Sequence, residues 1–314
     1  MFCSEKIHMP NIIINNYCNQ KCSYCFANEN MKDKKLQKNM SLSIFLKVLK
    51  FLKINNDLNV RILWWEPIIS PNIRKFLQIA NKWWFNIIIF SNINTETENI
   101  KNIFNGLKWI RINCNINDKD FYSDKEWENI NYNLEALNEL WINVIIWYNI
   151  TDINKSSEFI FDLAIKHNIY TINLKITNSS LWWNLLIDNV SKKLWKYIFK
   201  TIKKYHKQFF IEFSCGLDKT IFTEEEIKYI KENTEIKLKF WCEWNIWKFD
   251  INTDWTMFKC FPLEQIFKNE LYSTININNT LKNNIKIEDI IKVLNKWLIS
   301  TWECSANKKI KEKM

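Results

Sequence analysis

Apolar runs of strand length alternate with amphipathic runs of helix length through the first two-thirds of the 314-residue chain. Six such pairs follow one another, and the predicted strands cover residues 11–15, 60–63, 86–90, 109–113, 142–150 and 171–176. Consecutive strand–helix units form a parallel sheet, because right-handed crossovers place a helix between neighbouring strands. The predicted fold class is therefore α/β, a partial (β/α)6 TIM-like barrel. Its functional residues are expected at the C-terminal ends of the strands.

The predicted helices follow the strands. Ser41 is expected to cap a helix that ends at residue 53, and Pro71 to open one that ends near residue 81. The other helices are predicted over residues 96–105, up to residue 140, and over residues 155–167 and 191–207. From about residue 208 the alternation gives way to short β segments with cysteines. We therefore predict a core domain of residues 1–207 and a small α+β extension of residues 208–314.

Glycine is nearly absent from the sequence and tryptophan is abundant. The chain contains 2 glycines and 17 tryptophans, whereas average usage of about 7% gives roughly 22 glycines in a chain of this length. Trp141 ends a helical run, and Trp255 follows Asp254 as the second residue of a predicted hairpin turn; both positions favour glycine. Some bacteria read the UGA codon as glycine. If UGA codons were translated as tryptophan, the resulting sequence would show tryptophan at positions where the native protein has glycine. We therefore predict glycine at most of these positions in the native protein; the alternative is a chain genuinely rich in tryptophan.

Nine cysteines indicate metal or redox chemistry rather than a disulfide framework. Cys18, Cys22 and Cys25 follow the first predicted strand with the spacing Cys-x3-Cys-x2-Cys. Three thiolates at this spacing can bind one face of a [4Fe–4S] cluster and leave the fourth iron open to a small molecule. A zinc site, or three unrelated thiols, is the alternative interpretation.

The cysteine motif resembles the signature of the radical S-adenosylmethionine (SAM) superfamily, in which an aromatic residue precedes the third cysteine. Tyr24 fills that position, which in the family lies near the adenine of SAM. Leu63-Trp64-Trp65-Glu66-Pro67 ends the second predicted strand, where the family has Gly-Gly-Glu-Pro. The resemblance implies that the backbone at positions 64 and 65 meets the SAM amino group and that Glu66 orients it. An ordinary loop carboxylate is the alternative for Glu66.

Two further strand ends extend the resemblance. Phe90-Ser91-Asn92 is similar to the Thr-Asn-Gly of the family, and Asn113-Cys114-Asn115 stands where relatives often carry Ser and Asp. The resemblance implies cofactor-binding roles for Ser91, Asn92 and Asn113. The fourth strand nevertheless departs from the family pattern.

The cysteines after residue 208 resemble the opening of the SPASM and twitch extensions, which bind auxiliary iron–sulfur clusters. Cys242 and Cys260 flank the predicted hairpin, and residues 261–303 contain no cysteine, which favours a twitch-like region with at most one extra cluster. Cys242, Cys260 and Cys304 are the implied ligands. Either Cys215 or a substrate takes the fourth position. The alternative is a degenerate extension with buried thiols.

The resemblance implies an enzyme that cleaves SAM reductively to a 5′-deoxyadenosyl radical, which then abstracts hydrogen from a substrate. SPASM and twitch relatives often modify peptides or proteins, so we expect a peptide substrate first and a small molecule second. Ferredoxin or flavodoxin is the expected reductant, under anaerobic conditions. The alternatives are an RNA-modifying enzyme of the same superfamily and a non-catalytic iron–sulfur electron carrier.

The charge of the chain adds little to this assignment. The net charge is +10, but the lysines form no single block and no recognised nucleic-acid motif accompanies them. The charge therefore does not favour a nucleic-acid substrate. No basic segment with an apolar run opens the chain, and no run approaches the roughly 20 apolar residues of a membrane span. We expect a cytoplasmic protein.

Overall fold

The computed structural model describes residues 10–22, 25, 35, 37–63, 65–150, 155–176, 188–213, 223–234, 250–254, 256–258 and 275–276. The chain divides into two compact units. The first comprises Met1–Ser91, Asn105–Ile110 and Cys242–Met314, and the second comprises Asn92–Phe104 and Arg111–Trp241. No helix within the described residues is both long and apolar enough to cross a bilayer.

The first unit is built on parallel strands. They are β1 (Asn11–Ile12), β2 (Asn59–Ile62), β3 (Asn86–Ser91) and β8 (Asp250–Ile251), in the order β8-β1-β2-β3. Strands β9 (Thr256–Phe258) and β10 (Ile275–Asn276) continue beyond β8 and are antiparallel. Helices α1 (Leu42–Ile54) and α2 (Ile73–Lys82) connect the parallel strands.

The second unit repeats the same strand–helix alternation. Strands β4 (Ile110–Ile116), β5 (Asn143–Ile150), β6 (Thr171–Ile176) and β7 (Phe210–Phe213) lie side by side in chain order, all parallel. The helices of this unit are α3 (Thr97–Phe104), α4 (Asp124–Glu139), α5 (Glu158–Lys166), α6 (Asp188–Tyr205) and α7 (Glu224–Asn233).

The core of each unit lies where apolar strand residues meet the amphipathic helices. Phe45 of α1 stacks on Phe76 of α2 with ring centroids 4.3 Å apart, and both side chains are fully buried. In the second unit, Phe161 of α5 stacks on Tyr205 of α6 at 3.7 Å. The predicted α/β class with parallel strands is confirmed.

Several element boundaries differ from the sequence prediction. Helix α2 begins at Ile73 rather than Pro71, because a 3-10 turn over Pro67–Ile69 and a turn from Ser70 precede it. Strand β4 extends to Ile116, three residues beyond the predicted end. Strand β7 lies beyond residue 208 and pairs in parallel with β6, so the alternation continues for one strand more than the sequence indicated.

Candidate metal and cofactor site

The loop after β1 is tied to the loop after β2 by hydrogen bonds. Asn15 is fully buried, and its Nδ2 donates to the carbonyl oxygens of Glu66, at 2.9 Å, and Tyr17, at 3.1 Å. The backbone N–H of Glu66 donates to the same Tyr17 carbonyl at 3.2 Å. These bonds place the start of the cysteine motif beside the Glu66 motif. Sequence analysis missed Asn15, although a polar residue at the end of an apolar strand is a signal that could have found it.

Cys18, Cys22 and Cys25 are reduced, half-buried thiols on this loop. The backbone N–H of Gln20 donates to the Cys18 sulfur at 3.4 Å, and that of Cys25 donates to the Cys22 carbonyl at 3.0 Å. Burial raises the pKa of Cys18 to about 12, with further contributions from the charges of Glu66, Cys22 and Cys25.

The donor atoms of this loop are of the type that binds a cubane iron–sulfur cluster. Within the described part of the chain, no three His, Cys, Asp or Glu side chains converge on a point that could hold one metal ion. A cubane does not require such convergence, because each thiolate binds a different iron atom. Three soft sulfur donors on one short loop match the ligands of an iron–sulfur cluster.

Glu66 is a buried carboxylate at the C-terminal ends of β2 and β3. Its side chain is only 1% exposed, and Oε1 accepts hydrogen bonds from Ser91 Oγ at 2.8 Å and from the Ile68 N–H at 3.0 Å. The second bond caps the 3-10 turn that starts at Pro67. The structure thus brings Glu66, Pro67 and Ser91 together with the loop of the three cysteines.

Trp65 directly precedes this carboxylate in a left-handed backbone conformation. Its φ angle is 46°, which L-residues other than glycine and asparagine seldom adopt. Trp141 likewise has φ 57° and follows α4, as expected of a C′ residue. The sequence-based expectation of φ > 0 is therefore confirmed at position 141.

The remaining predicted residues of the described chain lie in the second unit. Asn92 is 7% exposed, and its Oδ1 accepts a bond from the Asn94 N–H at 2.8 Å. Asn113 lies in the middle of β4, rather than at its end, and is 2% exposed. The side chain of Asn133, which sequence analysis missed, donates to the Ile93 and Thr95 carbonyls and so fixes the turn after Asn92.

The other predicted site positions lie outside the described residues. They are Tyr24, Trp64, Trp255, Cys215, Cys242, Cys260 and Cys304.

The fold is that of the radical SAM enzymes. The chain resembles the crystal structure of Streptococcus suis SuiB bound to S-adenosylmethionine, with a TM-score of 0.64 and 15% identity over 98% of this chain and 75% of that one. The same enzyme bound to its precursor peptide SuiA matches with a TM-score of 0.64 and 16% identity over 98% and 74% of the two chains.

This chain also resembles a second enzyme of the same fold over nearly its whole length. The structure of anSMEcpe with bound AdoMet and the Cp18Cys peptide covers 96% of this chain and 81% of its own, with a TM-score of 0.55 and 11% identity. No protein-family model matches the sequence, and no curated protein matches it significantly. At these identities the likeness establishes the fold, and the partial TIM-like barrel predicted from the sequence is confirmed.

Proposed function

We propose that the protein is a radical SAM enzyme whose [4Fe–4S] cluster is bound by Cys18, Cys22 and Cys25. One observation carries the proposal: three reduced thiols with this spacing lie on the loop after β1, hydrogen-bonded through Asn15 to the loop of the buried Glu66. Cofactors bind parallel α/β folds at the C-terminal ends of the strands, which is where these residues lie. Solved structures of the same fold contain S-adenosylmethionine.

Cys18, Cys22 and Cys25 would hold the [4Fe–4S] cluster, which would supply the electron for reductive cleavage of SAM. The chain contributes positioning and the exclusion of water. The carboxylate of Glu66 is assigned to the ammonium group of SAM, and Ser91 holds that carboxylate in place. Tyr24 and Asn92 are assigned stacking or polar contacts with the cofactor, on the strength of the resemblance.

Electron paramagnetic resonance tests this assignment without measuring turnover. Anaerobically reconstituted and reduced protein should give the signal of a one-electron-reduced [4Fe–4S] cluster, and adding SAM should change its g-values as SAM binds the open iron. A Cys18→Ala, Cys22→Ala, Cys25→Ala variant should lose this SAM-sensitive signal. A SAM-sensitive signal of full intensity in that variant would contradict the ligand assignment.

We propose a peptide as the substrate. Both SuiB and anSMEcpe have been solved with peptides, and they share the fold over nearly the whole of this chain. The assignment is to a substrate class and names no reacting atom.

We further propose one auxiliary iron–sulfur cluster, bound by Cys242, Cys260 and Cys304 with Cys215 or substrate as the fourth ligand. The hairpin expected between Cys242 and Cys260 supports this proposal. Strands β8 and β9 pair antiparallel there, with Asp250 opposite Phe258 and Ile251 opposite Met257.

Finally, we propose that most of the printed tryptophans are glycines in the native protein. Four of them support this through their backbone, because Trp65, Trp84, Trp109 and Trp141 have φ angles of 46°, 64°, 59° and 57°. Each such residue costs roughly 1–2 kcal/mol unless it is glycine. The side chains of Trp84, Trp109 and Trp141 are 75%, 67% and 93% exposed, so packing does not repay this cost.

Peptide mass spectrometry of the protein isolated from its natural host tests the glycine assignment. Glycine is expected at positions 64, 65, 141 and 255. Tryptophan found at positions 64 and 65 would refute it.

A further inference from the structure

One face of the four parallel strands of the second unit carries several polar side chains. Asn115, Trp147, Asn173 and Glu212 are register partners on β4, β5, β6 and β7, so their side chains share one face. Arg111 and Asn113 lie on the same face of β4, four and two residues before Asn115. Asn115 is the sixth of seven residues in β4, and the other three members of the row lie near the middle of their strands.

The opposite face of the same strands is apolar and accounts for the core. Ile112, Cys114, Ile146 and Ile172 are fully buried there. A fold needs only one such face against its helices. The polar face is therefore not explained by core packing, and a different role must account for its side chains.

Several polar atoms on this face are buried with unused hydrogen-bonding capacity. Asn113 is 2% exposed and Asn173 is 4% exposed, and neither Oδ1 accepts a hydrogen bond from any described residue. The Nε of Arg111 is also buried and makes no hydrogen bond within the described part of the chain. Burying such a group without a partner costs about 1–3 kcal/mol, so native proteins seldom retain one without a use.

The charges on this face balance one another. Asn173 Nδ2 donates to Glu212 Oε2 at 3.2 Å, and the carboxylate of Glu212 interacts electrostatically with the guanidinium of Arg111. One cation, one anion and two carboxamides give a site with no net charge. Such a site disfavours an ionic ligand, because a buried extra charge would have no partner.

We propose that Arg111, Asn113, Asn173 and Glu212 form a subsite that binds backbone amides of a peptide substrate. An amide is neutral and offers one N–H donor and one C=O acceptor. The unused atoms are two amide oxygens, which accept, and the Arg111 Nε–H, which donates. Turning either asparagine amide over exchanges its oxygen and nitrogen, but still leaves that side chain with capacity for an amide group. The inference rests on the proposed function for its assignment as a substrate subsite.

The competing interpretation is that these residues form a purely structural polar layer within the sheet. A structural layer and a ligand subsite respond differently when Asn173 is replaced by leucine, whose side chain has the same branched arrangement of heavy atoms. In a ligand subsite, Asn173→Leu removes one bond, from Asn173 Nδ2 to Glu212 Oε2, and also removes a buried Oδ1 that accepts no hydrogen bond from any described residue. These two effects oppose each other, so the unfolding temperature should change by less than about 4 °C. If the residues form a structural network, Asn173→Leu should break its hydrogen bonds and lower the unfolding temperature. A fall in the unfolding temperature of more than about 4 °C would overturn the proposal.

Peptide binding gives the direct test. The full-length reconstituted protein, without reductant, is mixed with a synthetic pool of hexapeptides of random sequence that are N-acetylated and C-amidated. Size-exclusion chromatography separates the peptides that stay bound to the protein, and mass spectrometry identifies them. The unmodified protein should retain a subset of the pool. Asn173→Leu and Glu212→Gln should retain at least tenfold less of that subset. A matched pool with N-methylated backbone amides, which lack the N–H donor, should not be retained.

The controls are the same substitutions at exposed positions of α4, Asn138→Leu and Glu135→Gln, which should leave retention unchanged. Equal retention by Asn173→Leu, Glu212→Gln and the unmodified protein would overturn the proposal, as would no retention by any of them or equal retention of the methylated pool. Because no SAM cleavage is measured, failure here is distinct from failure of the proposed enzymatic activity, which the cluster signal and 5′-deoxyadenosine formation test.

Discussion

At the scale of single residues, the backbone adopts left-handed conformations at positions where the sequence has bulky side chains. Seven non-glycine residues of the described chain have positive φ, and four of them are tryptophans. Trp65 and Trp141 were predictable as glycine positions from motif position and helix-end chemistry. Trp109 was not singled out, because it was placed within the fourth predicted strand, residues 109–113. Ile93, at φ 46°, was also missed, because no sequence pattern marks a β-branched residue as left-handed.

Replacing Trp141 by glycine should stabilise the protein. The Trp141 side chain is 93% exposed and φ is 57°, so glycine removes backbone strain and gives up little packing. We expect the free energy of unfolding to rise by about 1 kcal/mol. Denaturant titration measures it. Trp127→Gly, within α4 and packed 5.7 Å from the Tyr122 ring, is the control and should be destabilising. A lower free energy of unfolding for Trp141→Gly would contradict the strain argument.

Replacing Glu66 by glutamine should weaken SAM binding. Glutamine keeps an acceptor for the Ile68 N–H and Ser91 hydroxyl but removes the charge assigned to the SAM ammonium. A lost charge-assisted hydrogen bond costs about 1.5–3 kcal/mol, which is roughly tenfold or more in affinity. Isothermal titration of the reconstituted protein measures the dissociation constant. Glu139→Gln at the end of α4 is the control, and an unchanged affinity in Glu66→Gln would assign Glu66 to folding alone.

At the scale of elements, apolar periodicity located every described parallel strand through β6, but it placed their ends less well. The Ser41 cap was correct because a side-chain cap is a local signal. Helix α2 began later than predicted, because Glu66 caps a 3-10 turn at Pro67. Ser91, at the end of β3, donates to the same carboxylate, and no local sequence pattern shows that contact. The asparagines of β4 concealed its length, since they read as a loop but face the polar side of the sheet.

Helix α4 depends on a capping box whose strength should vary with pH. Ser123 and Glu126 cap it reciprocally, and Glu126 also accepts a bond from Asn94 at 2.9 Å. The backbone N–H of Ser123, its hydroxyl and Asn94 lower the pKa of Glu126 below its ordinary 4.5. The charged form is therefore favoured in the folded state, so this stabilisation is present above pH 4.5 and is lost as the pH falls through the lowered value.

Ser123→Ala should therefore destabilise the protein by about 1 kcal/mol at pH 7 and by less near pH 3. Urea titrations at the two pH values measure the difference. Ser156→Ala, outside any capping box, is the control. A destabilisation that did not shrink at low pH would show that the Glu126 charge makes no contribution to the cap.

At the scale of the whole molecule, the α/β class and the position of the cysteine motif were predictable because they depend on period and spacing. Strand β7 was not assigned to the parallel sheet, since a strand of only four residues, one of them Glu212, carries no sign of its partner. The polar face of β4–β7 was also unpredictable, because it arises only when register brings Asn115, Trp147, Asn173 and Glu212 into one row.

The iron content of the protein should exceed one cubane. Well-reconstituted protein is expected to contain roughly eight iron atoms per chain if one auxiliary [4Fe–4S] cluster is present beside the first. The excess should survive in the Cys18→Ala, Cys22→Ala, Cys25→Ala variant and fall in Cys242→Ala, Cys260→Ala. Cys114→Ala, a buried thiol of β4, is the control. About four iron atoms per chain would indicate that the C-terminal cysteines bind no cluster.

The central claim is that this chain cleaves SAM at the three-cysteine loop, and formation of 5′-deoxyadenosine tests it most directly. Anaerobically reconstituted protein, given dithionite and SAM, should form 5′-deoxyadenosine and methionine in equal amounts, measured by liquid chromatography and mass spectrometry. The Cys18→Ala, Cys22→Ala, Cys25→Ala variant should form none, whereas Cys114→Ala should retain activity. Product from the triple variant at the rate of the unmodified protein, or none from protein whose cluster is intact, would contradict the account.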